Sequence, residues 1–125
     1  MMDVNSTTEN FTRRALWAQI DLDAAAHNMR IIRRHVGPDV RIAAVVKANA
    51  YGHGAVELAR TFAENGADCF AVSSLDEAVE LRRYAGITKN IFILGHTDGR
   101  RTEELLAYHI EPAVFNLKNA EYFSS

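Results

Sequence analysis

The sequence predicts an α/β fold in which strand–helix units repeat along a parallel sheet, and three observations carry that expectation. Short apolar runs centred on Val45, Val72, Ile93 and Val114 lie 27, 21 and 21 residues apart. Each run is preceded or followed by a helical pattern, and parallel strands need such a crossover between them. The run Ile42–Val46 is apolar without alternation, as in a strand buried on both faces beneath helices. Four units of this kind suit either a small doubly wound sheet or half of a closed eight-unit barrel, and periodicity does not separate the two.

Taken in order, residues 1–13 read as a flexible polar tail. Leu16–Leu22 is expected to be a short, half-polar strand. Ala26, Met29, Ile32 and Val36 then step by three and four along one helix face, giving a helix over residues 23–36 that Gly37 and Pro38 terminate. A strand over Arg41–Val46 ends at Lys47, and a glycine-containing turn over Tyr51–Gly54 leads to a helix at Ala55–Asn65, closed by Gly66. Cys69–Ser73 is the next strand. Ser74 and Glu77 have the spacing of a capping box for a helix running to Ala85. Asn90–Leu94 is a strand, residues 95–99 a loop and residues 100–108 a helix. Glu111–Phe115 is expected to be a buried strand, with Asn116 capping a last helix.

Of the 125 residues 48% are hydrophobic and 24% charged, with a formal charge of −2, the balance of an ordinary globular domain. Lys and Arg are spread along the chain, so there is no electrostatic footprint for nucleic acid or an anionic membrane surface. No apolar run approaches the roughly 20 residues of a membrane helix, and residues 1–12 lack the apolar core of a secretory signal. The single cysteine, Cys69, builds no disulfide framework; it reads as a small buried hydrophobe and fits a reducing cytoplasm. The five histidines show no metal-ligand spacing, and no metal is expected.

Lys47 is the residue with the most chemical interest. It stands at the C-terminal end of a buried strand, where βα barrels place their reactive groups. Position alone leaves two readings: a rim lysine whose amine reaches water, or an amine held where desolvation makes it a competent imine former. Asp21 and Asp23 have the look of a carboxylate pair, but a helix cap is the simpler account.

The string Val45-Val46-Lys47-Ala48-Asn49-Ala50-Tyr51-Gly52-His53-Gly54 resembles the cofactor-lysine motif of the alanine racemase family over ten residues. Flanking segments resemble the same family: Trp17–Asp23 with His27-Asn28, Phe70–Ala78 with Leu81-Arg82, and Ile91–Gly95. The resemblance implies a TIM (β/α)8 barrel of the alanine racemase type, of which residues 14–125 would form a truncated N-terminal half with the first strand and about four βα units.

It further implies pyridoxal 5'-phosphate as cofactor, carried by Lys47 as a Schiff base, with Lys47 also acting as a catalytic base. Tyr51 would bind the cofactor phosphate and Leu94 would lie near its ring. The implied reaction interconverts L- and D-alanine, supplying D-alanine for peptidoglycan, in a cytoplasmic enzyme that is a homodimer at full length. His53 and Asn49 are read as structural residues of the turn. The family's second base, the arginine at the pyridine nitrogen and a C-terminal β domain come later in such proteins, so the 125 residues are expected to be inactive alone. Three alternatives remain open at this point: a serine racemase of the same architecture, a pyridoxal-phosphate-binding barrel without catalysis, and a degenerate piece retained as an interaction module. Barrels of the second kind do not usually continue their lysine motif as Asn-Ala-Tyr-Gly-His-Gly.

Overall fold

The computed structural model describes residues 16–124, so the tail expected over residues 1–13 lies outside the described residues. The elements are α1 (Leu22–Val36), β1 (Ala43–Val45), the one-turn helix α2 (Lys47–Tyr51), α3 (Ala55–Asn65), β2 (Cys69–Val72), α4 (Leu75–Glu80), β3 (Asn90–Ile93), α5 (Thr102–Tyr108), β4 (Ile110–Glu111) and α6 (Leu117–Ser124). A π-helical turn, Leu81–Ala85, extends α4, and a 3-10 turn, Gly99–Arg101, leads into α5.

The caps read from the sequence are in place. Asp21 accepts the Ala24 N–H at 2.9 Å, Ser74 accepts the Glu77 N–H at 3.3 Å and Asn116 accepts the Asn119 N–H at 2.9 Å. Each satisfies a donor that a helix start leaves without an intrahelical partner.

Strand order is β1-β2-β3-β4, and every neighbouring pair is parallel. A doubly wound sheet reverses its order at a switch point, whereas barrel strands follow one another in chain order. The observed order is therefore an arc of a βα barrel. Burial separates its two faces at β1, while β2 is buried on both. Ala44, Val46, Phe70, Val72, Ile91 and Ile93 join Met29, Leu58, Ala59, Leu75, Ala78, Leu81 and Leu105 from the helices in one apolar core. Burying a side chain of the size of Phe70 or Ile91 contributes about 1.5–3 kcal/mol. The other face carries Ala43, Val45, Cys69, Ala71, Asn90 and Phe92, all outside that core cluster.

Three expectations fail at the margins of the sheet. Leu16–Leu22 is not a strand: Leu22 begins α1, and the preceding residues have no regular structure, with Leu16 and Trp17 exposed. The Glu111–Phe115 strand shrinks to Ile110–Glu111, with Val114 and Phe115 exposed. Pro112 carries no N–H for a ladder, and β4 is an outer strand of the sheet. β1 is buried on one face rather than two, with Val45 at 40% exposure, because no described element covers its other side.

At the N-terminal rim of the sheet two arginines tie the loops together. Arg33 donates to the carbonyls of Gly37, Val40 and Gly66 and pairs with Asp68, joining the entries to β1 and β2. Asp68 also accepts the Ile42 N–H at 2.6 Å; that bond first, and Arg33 beside it, hold its carboxyl below the usual range against the cost of desolvation. Arg82, on the π turn, donates to the carbonyls of Ile87, Lys89, Tyr108 and His109 at 2.6–2.8 Å, joining the entries to β3 and β4.

Candidate active site

The opposite rim, at the C-terminal ends of the strands, holds the residues singled out for chemistry. Val45 pairs with Ala71 and Val72 with Ile93. Continued outward, the first register sets Lys47 beside Ser73, and the second sets Ser73 beside Leu94. The bonds Val46 N–H to Ala71 O and Leu94 N–H to Val72 O, at 3.0 and 2.7 Å, carry the pairing to this edge. Lys47, Ser73 and Leu94 thus form one row across three strands, in alternation phase with Val45, Ala71 and Phe92 on the face away from the helical core. Lys47 is half-buried and Leu94 is exposed.

Immediately after Lys47 the backbone turns left-handed. Ala48, Asn49 and Ala50 have φ of 50–54° and ψ of 46–49°, and Tyr51 has φ 55°. Left-handed helical backbone costs about 1–2 kcal/mol per L-residue and normally occurs singly. Four in succession require compensation from their surroundings. Several bonds supply it. The Asn49 side chain accepts the Ala55 N–H at 2.8 Å and so caps α3. Gly52, with φ 85°, donates to the Ala48 and Asn49 carbonyls. His53 Nδ1 lies 3.0 Å from the Ala50 carbonyl. His53 and Asn49 therefore belong to the turn, as read from the sequence.

The remaining tie comes from Glu77. Its Oε1 accepts the Ala48 N–H at 2.8 Å, and its Oε2 accepts the Ser73 N–H and hydroxyl at 2.7 and 2.8 Å. Desolvation alone would raise the Glu77 pKa, but the donors on Ser73 and Ala48 outweigh it and hold the carboxyl below its ordinary value. The sequence shows Glu77 as the acidic member of a capping box; that it also reaches α2 depends on a contact 29 residues away, which no local pattern encodes.

Tyr51 does not share the row of Lys47 and Leu94. It is exposed and lines a cavity of about 580 Å³ with Val45, Val46, Ala50 and His53 on one side and Gln19, Asp21 and Asn28 on the other. That cavity runs along the free edge of β1, beside α1. Lys47 and Tyr51 thus lie at the C-terminal end of β1 and Leu94 at the C-terminal end of β3: an amine, a phenol one residue before the turn closes at Gly52, and an apolar side chain across the row. These groups fit pyridoxal phosphate in kind, offering an amine for its aldehyde, a hydroxyl donor for its phosphate and an apolar surface for its ring.

Fold and rim together define a βα-barrel protein with a strand-end lysine set before a left-handed turn. A sequence profile described as alanine racemase, N-terminal domain, matches residues 20–125. The chain belongs to the alanine racemase family. It is 50% identical over 111 residues to an alanine racemase of Clostridium perfringens, covering 89% of this chain and 28% of that protein. It is 42% identical over 113 residues to an alanine racemase of Synechocystis, covering 90% and 30%.

Among solved structures, an alanine racemase of Clostridium difficile 630 superimposes with a TM-score of 0.80 at 37% identity, covering 86% of this chain and 28% of that one. An alanine racemase of Bacillus anthracis, solved with bound L-Ala-P, gives 0.77 at 38%, covering 86% and 29%. The chain thus spans between a quarter and a third of the length of these relatives.

Proposed function

We propose that this chain is the lysine-bearing part of a pyridoxal-phosphate-dependent racemase that interconverts L- and D-alanine in the cytoplasm and acts as a homodimer at full length. The observation that carries the reading is the position of Lys47, at the end of the first barrel strand and on the face away from the core, in a family whose named members are alanine racemases. The L-Ala-P bound by the Bacillus anthracis relative favours alanine as substrate. The product would supply D-alanine for the cell wall.

Lys47 would hold the cofactor covalently through its amine, Tyr51 would donate its hydroxyl to the phosphate, and Leu94 would give the ring an apolar neighbour. When bound, pyridoxal phosphate supplies an electron sink that makes a proton at the substrate Cα removable. The Lys47 amine would take or return that proton on one face. Asn49 and Gly52 hold the turn that follows the lysine. Racemisation needs a base on each face, and Lys47 provides one of them.

The test uses a full-length protein, either the product of the gene encoding this chain or a hybrid in which the chain replaces the matching part of the Clostridium perfringens racemase. Loaded with pyridoxal phosphate, it should show the visible absorption of lysine-bound cofactor and should racemise alanine. Lys47→Ala should abolish that band and lower the rate by about a thousandfold. An unchanged band in the variant, with borohydride labelling a different lysine, would refute the assignment.

A further inference from the structure

We propose that Glu77 is a positioning residue for Lys47, a carboxylate clamp that holds the turn after β1 and the turn after β2 in one geometry. The inference rests on the cofactor-lysine reading above and deepens it. Its basis is the identity of the atoms gripped. The Ala48 N–H belongs to the peptide that leaves Lys47, so the 2.8 Å bond to Glu77 Oε1 fixes the plane of that peptide and with it the backbone direction of the lysine. The other oxygen accepts both donors of Ser73, the middle residue of the row that runs from Lys47 to Leu94. One carboxylate therefore sets two of the three positions in that row.

The residues in between make such a clamp necessary. The peptide held by Glu77 opens the left-handed run Ala48–Tyr51, and none of these four residues is glycine. A chain in this conformation relaxes unless its ends are held. Asn49 and Gly52 hold the far end; Glu77 holds the near one. Helix capping explains only part of the arrangement. The Ser74 hydroxyl caps α4 by accepting the Glu77 N–H and the Ser74 N–H turns to the Glu77 carboxylate in return, but the bond to Ala48 reaches out of α4 to a different turn.

Glutamine at this position keeps the shape but has one acceptor oxygen. It can serve Ala48 or Ser73, and it presents an N–H₂ to the other donor. In the full-length protein without cofactor, Glu77→Gln should speed amide hydrogen exchange in residues 48–52 by about tenfold. With cofactor bound, it should reduce the visible circular dichroism of the lysine-bound band, and kcat should fall about tenfold with KM changed less than about twofold. Ser74→Ala removes only the cap; it should lower the melting temperature yet leave the exchange of residues 48–52 and kcat unchanged.

Should Glu77→Gln fail to fold, Ser73→Ala takes its place. It deletes one donor from the same carboxylate and should move exchange and kcat in the same direction by about threefold. The proposal is overturned if the folded Glu77 variant, or Ser73→Ala in its stead, behaves as Ser74→Ala does. A wild-type protein that takes up no cofactor would defeat the racemase reading instead, and hydrogen exchange would still decide the clamp.

Discussion

Gly95 follows β3, and a Cβ built on it would lie 2.4 Å from the carbonyl oxygen of Ser73. That is backbone against backbone, so neither partner can swing away as a flexible side chain would. The absence of a side chain lets the chain after Leu94 close against the turn after β2, which keeps the row of Lys47, Ser73 and Leu94 tight. Gly95→Ala should therefore destabilise the fold by about 1–3 kcal/mol, the usual cost of an overpacked contact. Urea unfolding of the full-length protein against wild type measures it, and a loss below about 0.5 kcal/mol would mean the strand end tolerates displacement. Lys47 and the left-handed run pose the opposite problem. Ala48, Asn49, Ala50 and Tyr51 take a backbone that glycine would adopt more readily, and side-chain bonds rather than composition hold them there. The lysine motif was legible as a string of residues for this reason alone: its conformation contradicts local preference, so residue propensities give no warning of it.

Among the elements, those whose hydrogen bonds are local were readable and those completed by a distant partner were not. α1 and the start of α4 carry their own side-chain caps and α3 closes at Gly66, and the sequence places all three within a residue or two. The Leu16–Leu22 segment has strand composition but pairs with no strand among the described residues, and the run beyond Glu111 has β3 on one side only and opens with Pro112, which has no ladder N–H, so composition overstates both. The interior strands β2 and β3, with partners on both sides, match their expected ranges closely. The π turn Leu81–Ala85 is a further case that no spacing announced. It carries Arg82, whose fork meets four carbonyls from two loops. Desolvation lowers the pKa of this guanidinium, and arginine stays charged in proteins. Arg82→Lys keeps the charge but offers a single point donor in place of a planar fork, and should cost about 2 kcal/mol as charged hydrogen bonds to Tyr108, His109, Ile87 or Lys89 are lost. Thermal unfolding reads this. The loss should appear without a change in the visible spectrum of the bound cofactor, because the arginine sits at the rim opposite Lys47.

At the scale of the whole molecule the arc divides its labour between its two rims. Arg33 and Arg82 fasten loops at the N-terminal rim, while Lys47, Leu94, Glu77 and the left-handed turn occupy the C-terminal rim, the division that βα barrels use to separate stability from chemistry. The inner face between the rims is not closed. Val45 is 40% exposed and Leu94 46%, among the described residues β1 pairs on one side only, and the cavity of about 580 Å³ runs along its other edge. Four strands cannot close a parallel barrel, which needs about eight, and an unpaired strand beside an apolar face invites association. The 125 residues expressed by themselves should therefore self-associate at micromolar concentration and bind a hydrophobic dye. Co-expression with the remainder of the Clostridium perfringens racemase as a separate chain should yield a soluble complex with reduced dye binding. Sedimentation and dye fluorescence decide the matter: a monodisperse monomer that leaves the dye dark would show that the inner face is satisfied without further strands.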